Sequence, residues 1–331
     1  MNNTMLVGPW VRRFLLEHLV AERNLAVNTQ KSYRDMLLQL LPYVAAKTKH
    51  SIDRLIINDL SPEIIRSFLS YIEQQRGCSI STRNHRLCAI HALARFIAEY
   101  NPECVDWYSQ IRLIPRKKCS QPVITYLDKQ EMDALLAAHD GHTRQGLFEE
   151  ALLLFLYNSG ARASEAATLK IENIDWYAKC VNVTGKGRKQ RRCPLWSITL
   201  EKLTALVGNR EADQSVFLNR CHRPMTRSGI HALVKRCAAR ARKKTPSLLG
   251  KTVNPHVIRH TTACHLLKAG VDINTIRGWL GHVSLTTTNI YAEIDLDTKA
   301  EALAACAISE KVKTGKRWRE QPGLIQFLNA L

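Results

Sequence analysis

The feature that most constrains this chain is a break in its hydrophobic rhythm. Between Leu113 and Pro122 the periodic pattern dissolves into Ile-Pro-Arg-Lys-Lys-Cys-Ser-Gln-Pro, with prolines at both ends and three consecutive basic residues, Arg116, Lys117 and Lys118, inside. Such a stretch continues neither a helix nor a strand, so it divides the chain into a first domain over 1–113, a basic linker over 114–123 and a second domain over 124–331. A length of 331 residues and a hydrophobic content of 45% are enough to bury a core in each.

On the first side of the break, apolar residues recur at steps of three and four, the spacing of one helix face. Val11, Phe14, Leu15 and Leu19 form one stripe, and Tyr33, Leu37, Leu40, Leu41 and Val44 a second. Ser61-Pro62-Glu63 opens a third helix with a capping residue and a proline, followed by Ile65, Phe68, Leu69 and Ile72. A fourth runs from about Ser81 to Tyr100, with Leu87, Ile90, Ala94 and Ile97 on its stripe. Its polar entry, Arg83, Asn84, His85 and Arg86, suits phosphates or base edges and equally suits a solvated helix start.

Beyond the linker, Asp128 is placed to cap a helix towards Ala138, and Leu147 to Tyr157 is apolar enough for a buried helix. Lys179–Thr184 and Gln190–Leu195 read as two short strands joined by Gly185-Lys186-Gly187-Arg188-Lys189, a basic turn. Helical patterning returns from Arg227 to Arg242. The expected fold is mainly α: a helical first domain, then a mixed, mostly helical domain with a small antiparallel sheet.

Lys and Arg outnumber Asp and Glu by 48 to 29, a formal charge of +19, which favours a polyanionic partner such as nucleic acid. An anionic membrane surface is the rival, but no apolar run reaches spanning length and the N-terminus lacks the order of a secretory signal, so the chain is read as cytoplasmic. The ten cysteines are scattered without a C-x-x-C pair, the pattern of reduced structural thiols. His256 and His260 stand four apart without the glutamate of a zinc-binding H-E-x-x-H, so no metal is expected.

The chemistry-bearing residues lie in four stretches: Asn158-Ser-Gly-Ala-Arg162-Ala-Ser-Glu165, the Gly-Lys-Gly turn, His256-Val-Ile-Arg259-His260, and Leu280-Gly-His282 with Tyr291 nine residues on. His256 and Arg259 share a helix face. Arginines, histidines and a tyrosine in this combination are parts for phosphoryl transfer. Each alone has a plainer meaning: Tyr291 a packing residue, Arg162 an ion pair with Glu165, Lys186 a turn cation beside Arg188 and Lys189.

In order, these motifs resemble the tyrosine recombinases, the phage-integrase or Xer-like family. The G-A-R-x-S-E box, the Gly-Lys-Gly hairpin, H-x-x-R-H, L-G-H and I-Y supply Arg162, Lys186, His256, Arg259, His282 and Tyr291 over residues 120–305, while 1–113 resembles the family's SAM-like core-binding domain only in its helical layout. The resemblance implies strand cleavage and rejoining of double-stranded DNA. Tyr291 attacks a phosphate to form a 3′-phosphotyrosine, and Arg162 and Arg259 grip its non-bridging oxygens with cationic forks. Lys186 protonates the leaving oxygen, His256 helps move the tyrosine proton, and His282 bonds a phosphate oxygen or orients the nucleophile. Such chemistry needs no ATP, metal or other cofactor. Arg83, Asn84, His85, Arg86, Arg116, Lys117, Lys118, Arg188 and Lys189 are the candidate DNA contacts.

About forty residues follow Tyr291, longer than the tail associated with the housekeeping Xer type. In the family such segments dock on a neighbouring subunit in a tetramer on two DNA sites. The tail from about 310 to 331 is assigned that role or packing on its own domain. An integrase or transposase of a mobile element is therefore expected, with a chromosomal Xer recombinase, alone or with accessory recombinases, as the alternative. A type IB topoisomerase and a catalytically silent DNA-binding regulator are the other classes.

Overall fold

The computed structural model describes residues 5–119, 124–185, 187 and 189–281. Contacts gather the chain into two compact units, Met1–Pro122 and Val123–Leu331.

In the first unit, α1 (Val7–Arg13) runs on through a π-helical stretch, Phe14–Glu22. α2 (Val27–Thr48), α3 (Pro62–Gln74), α4 (Ile80–Tyr100) and α5 (Val105–Arg112) complete it. The Ser61 hydroxyl accepts from Ile64 N at 3.3 Å and caps α3, whose stripe of Ile65, Phe68, Leu69 and Ile72 is buried. The Ser79 hydroxyl caps α4 in the same way. Phe14 meets Phe96 of α4 and Tyr33 of α2, each with ring centroids 5.5 Å apart, so these aromatics tie α2 and α4 to the first helix.

Ile114 is buried in this same core. The next residues are held to α4: Arg83 Nη1 donates to Pro115 O at 3.0 Å, and Asn84 exchanges two hydrogen bonds with the Lys117 backbone. Lys117 Nζ reaches both Glu73 oxygens at 2.8 Å.

The second unit opens with α6 (Lys129–Leu136), where Asp128 and Glu131 cap each other's backbone amides. α7 (Arg144–Ser159) is buried from Ala151 through Ser159, as its unbroken apolar sequence requires. It ends at Gly160, whose φ of +58° closes the helix in the left-handed region. α8 (Ala163–Ala167) follows. β1 (Ile174–Asp175), β2 (Cys180–Thr184) and β3 (Gln190–Pro194) form an antiparallel sheet in that order, with Val181 opposite Cys193 and Thr184 opposite Gln190. α9 (Ser197–Val207), α10 (Arg227–Arg242), α11 (Pro255–Lys268) and α12 (Ile273–Leu280) complete the described part.

Both units match the expected fold class. β1, α5, α8 and α9 add to the expected elements; β1 and α8 are too short to show a period in sequence. Among the described residues, no helix is long and apolar enough to cross a membrane, and the cysteines are free.

Candidate active site

Three of the six expected pocket residues, Arg162, His256 and Arg259, are described. Lys186, His282 and Tyr291 lie outside the described residues, as do Arg188 and the tail after Tyr291.

Arg162 stands at the turn from α7 into α8, where the left-handed Gly160 redirects the chain. A Cβ on Gly160 would stand 2.5 Å from Leu280 Cδ2, so glycine here also permits close approach of α12. Glu165 reaches back to the turn: Oε2 accepts from Arg162 N at 2.8 Å and Oε1 from Arg162 Nη1 at 2.7 Å. The ion pair with Glu165 read from the sequence is thus present. Glu165, with a side chain only 4% exposed, also accepts from Arg191 Nη2 at 2.7 Å. Burial alone would raise its carboxyl pKa. The bond and charge of Arg191, followed by the bonds from Arg162, outweigh burial and hold it below the usual carboxylate range.

Arg259 is 1% exposed on α11, yet its head spans two other elements. Nη1 donates to Gly160 O at 2.7 Å and Nη2 to Leu280 O at 2.6 Å. One guanidinium thus satisfies the carbonyls that end α7 and α12, one of them two residues from Arg162, the other two residues before His282. The Thr262 hydroxyl donates to Tyr157 O at 2.7 Å and fastens α11 to α7 a turn away. Asn158, buried in the same motif box, donates to Pro194 O and accepts from Trp196 N, binding the end of α7 to the sheet.

His256 lies in the first turn of α11, where Asn254 Oδ1 accepts from the His256 and Val257 amides. Its pKa is lowered first by desolvation, then by the positive charges of Arg259, Arg162 and His231. His260 packs edge-to-face on His256 with centroids 4.3 Å apart, and burial, then His256 and Arg259, lower its pKa to about 4. His260 is therefore a neutral supporting ring at neutral pH. His265 accepts a similar packing role, 2.7 Å from the Tyr157 hydroxyl. Among the described residues no group of three His, Cys, Asp or Glu is arranged to hold a metal.

Of the candidate DNA contacts, His85 is exposed and Arg86 half-buried at the start of α4, lining a shallow recess with Asn28, Lys31, Ser32 and Thr82. Arg83 is 7% exposed and Asn84 faces Lys117, so both are occupied in holding the chain that leaves the first unit. Arg116, Lys118 and Lys189 are exposed, while the exposed Lys117 is paired with Glu73. Sequence reasoning passed over Arg191, although period-2 alternation with Cys193 places it on the inward face of β3, the signal that could have found it.

The phage integrase family model matches residues 125–297, and the model of the phage integrase N-terminal SAM-like domain matches residues 12–100. The chain belongs to the phage integrase family. It is a tyrosine recombinase, and therefore an enzyme. Among curated relatives, the candidate integrase/recombinase y4rC of Sinorhizobium fredii is 34% identical over 98% of this chain and 98% of its own length. Tyrosine recombinase XerC of Oceanobacillus iheyensis is 31% identical over 87% of this chain and 92% of its own, and XerD of Vibrio vulnificus 32% over 86% and 90%. The same fold occurs in the Tn1549 transposon integrase solved with transposon right-end DNA, with a TM-score of 0.67 at 18% identity over 90% of this chain and 99% of that one. XerH bound to its difH substrate before cleavage gives 0.65 at 23% identity over 85% and 81%.

Proposed function

We propose that this phage-integrase-family protein cleaves and rejoins double-stranded DNA through a 3′-phosphotyrosine at Tyr291, in the service of a mobile element. The observation that carries the reading is that Arg259, from α11, donates to Gly160 O two residues before Arg162, so two arginines from separate elements are tied to one turn. Two permanent cations held by backbone and carboxylate partners offer a fixed receptor for the charge of a pentacoordinate phosphate, with no reorganisation needed as that charge develops. Lys186 follows the end of β2 and acts as general acid, His256 and His282 serve proton movement and phosphate contact, and Tyr291 lies inside the span matched by the family model. His85, Arg86, Arg116, Lys118, Arg188 and Lys189 supply phosphate contacts, and the +19 charge supports them. The protein acts as a tetramer on two DNA sites in the cytoplasm, and the tail after Tyr291 links neighbours.

The mobile-element role rests on the forty residues that follow Tyr291, longer than the tail associated with the Xer type. A duplex selected for binding by the Tyr291→Phe protein, then nicked beside the cleavage position, is expected to trap a covalent adduct with the unaltered protein and none with Tyr291→Phe. An adduct formed by Tyr291→Phe overturns the nucleophile. Recombination confined to a chromosomal dimer-resolution site, and dependent on a second recombinase, overturns the mobile-element role.

A further inference from the structure

Glu165 is bonded to both Arg162 and Arg191, and the way it is shared decides what Arg162 has left to offer. An arginine alone with a carboxylate settles into a two-pronged pair that occupies two of its donors and cancels its charge. Here that arrangement is prevented. Arg162 places one side-chain nitrogen, Nη1, on Oε1, while Oε2 is taken by Arg162 N and by Arg191 Nη2 at 2.7 Å. Nε and Nη2 of Arg162 meet no acceptor among the described residues, and its side chain is 33% exposed. One carboxylate against two guanidiniums leaves the trio net positive.

We propose that Arg191 is a positioning residue for Arg162: by occupying half of the Glu165 carboxylate, it keeps the outer edge and the charge of Arg162 available to a DNA phosphate. The inference rests on the reading of Arg162 as a phosphate-binding residue.

The Arg191 guanidinium is enclosed, with its Nε buried and only Nη2 bonded to Glu165. Its side chain is 7% exposed and enters from β3, 26 positions from Glu165. A Cβ on Gly185 would stand 3.1 Å from Glu165 Oε1 and 3.5 Å from Arg191 Nη1. A Cβ on Gly281, whose φ is +65°, would stand 3.2 Å from Arg191 Cδ. Both glycines therefore make way for the pair, and each directly precedes an expected pocket residue, Lys186 and His282. The planar fork fits between two backbones. A lysine can still reach Oε2 with a single charge but lacks the flat head enclosed here.

The test uses the full chain and a nicked duplex selected by binding to the Tyr291→Phe protein, with adduct formation followed against duplex concentration. Arg191→Met is expected to lower the saturated adduct rate about 100-fold while the half-saturating duplex concentration moves less than about threefold. Arg191→Lys is expected to recover about tenfold of that loss. Because Arg191 works through Arg162, adding Arg191→Met to Arg162→Ala is expected to slow that variant by no more than about twofold. An Arg191→Met or Arg191→Lys rate within about threefold of the unaltered protein overturns the proposal, as do single losses that multiply in the double variant, the mark of an ordinary packing ion pair. If Arg191→Met fails to fold, the Arg191→Lys rate and its combination with Arg162→Ala decide in the same sense. If the unaltered protein forms no adduct, the recombinase reading itself fails and the proposal falls with it. An adduct that forms equally with and without Arg191 refutes the proposal alone.

Discussion

Replacing Glu165 by glutamine tests the electrostatic frame of the site independently of DNA. The carboxylate accepts three short bonds, two from Arg162 and one from Arg191, in surroundings that leave it 4% exposed. Glutamine keeps one acceptor oxygen and turns an amide N–H₂ towards a guanidinium, so one cation loses its partner and faces another donor. Removing one member of a buried ion pair costs about 3–5 kcal/mol. Partial exposure of Arg162 lets water recover some of that, so the lower end, about 3 kcal/mol, applies. For a unit the size of Val123–Leu331, each kcal/mol moves the melting temperature by about 2–4 °C, giving a fall of about 6–12 °C at pH 7. The pH dependence follows from the direction of the shift. Because Arg191 and Arg162 hold the folded carboxyl below its unfolded value, Glu165 contributes fully above the ordinary carboxylate range and loses that contribution as pH falls through its folded value. Calorimetric melts of the two proteins at pH 7 and about pH 4 should therefore show a gap that narrows on acidification. Melting temperatures within about 2 °C at pH 7, or a gap that widens at low pH, would refute the assignment of Glu165 as a buried counterion to two arginines.

Gly160→Ala is expected to cost about 2 kcal/mol or more, read as a lower denaturant midpoint, because the added methyl meets Leu280 at 2.5 Å and the residue must keep a φ of +58°. The His260 ring resonances should titrate near pH 4, as burial dictates, in an NMR series on the folded protein. Its folded value lies below the unfolded one, so it is without proton-linked effect above about pH 6.5 and penalises folding increasingly as pH falls towards 4, where only the unfolded ring takes up a proton. Thr262→Val should destabilise the second unit by about 1–2 kcal/mol in chemical denaturation, since it leaves the buried Tyr157 carbonyl without its 2.7 Å hydroxyl donor.

Local signals determined much of this protein before any folding was known. Ser61-Pro62 announces α3 because a side-chain acceptor and a fixed φ act within one turn, and the Gly-bounded basic turn announces the β2–β3 hairpin. The ordered motifs around Arg162, His256 and Arg259 named the family, since their side chains are demanded by chemistry at fixed local spacing. The N-terminal π-helical run was not visible, because it follows from packing Phe14 and Leu19 inward and from no periodicity of its own. Arg83 and Asn84 read as part of a polar helix entry, yet tertiary structure commits them to residues 115–117, a partner 32 and 33 positions away. Arg191 went unread in the sequence, and it is the buried partner of Glu165 because folding brings together two residues 26 positions apart. The sequence by itself determined which chemistry the chain carries. Which of its many cations are spent on holding the fold, and which are left for a phosphate, is decided by contacts between distant segments, and only the tertiary structure brings those together.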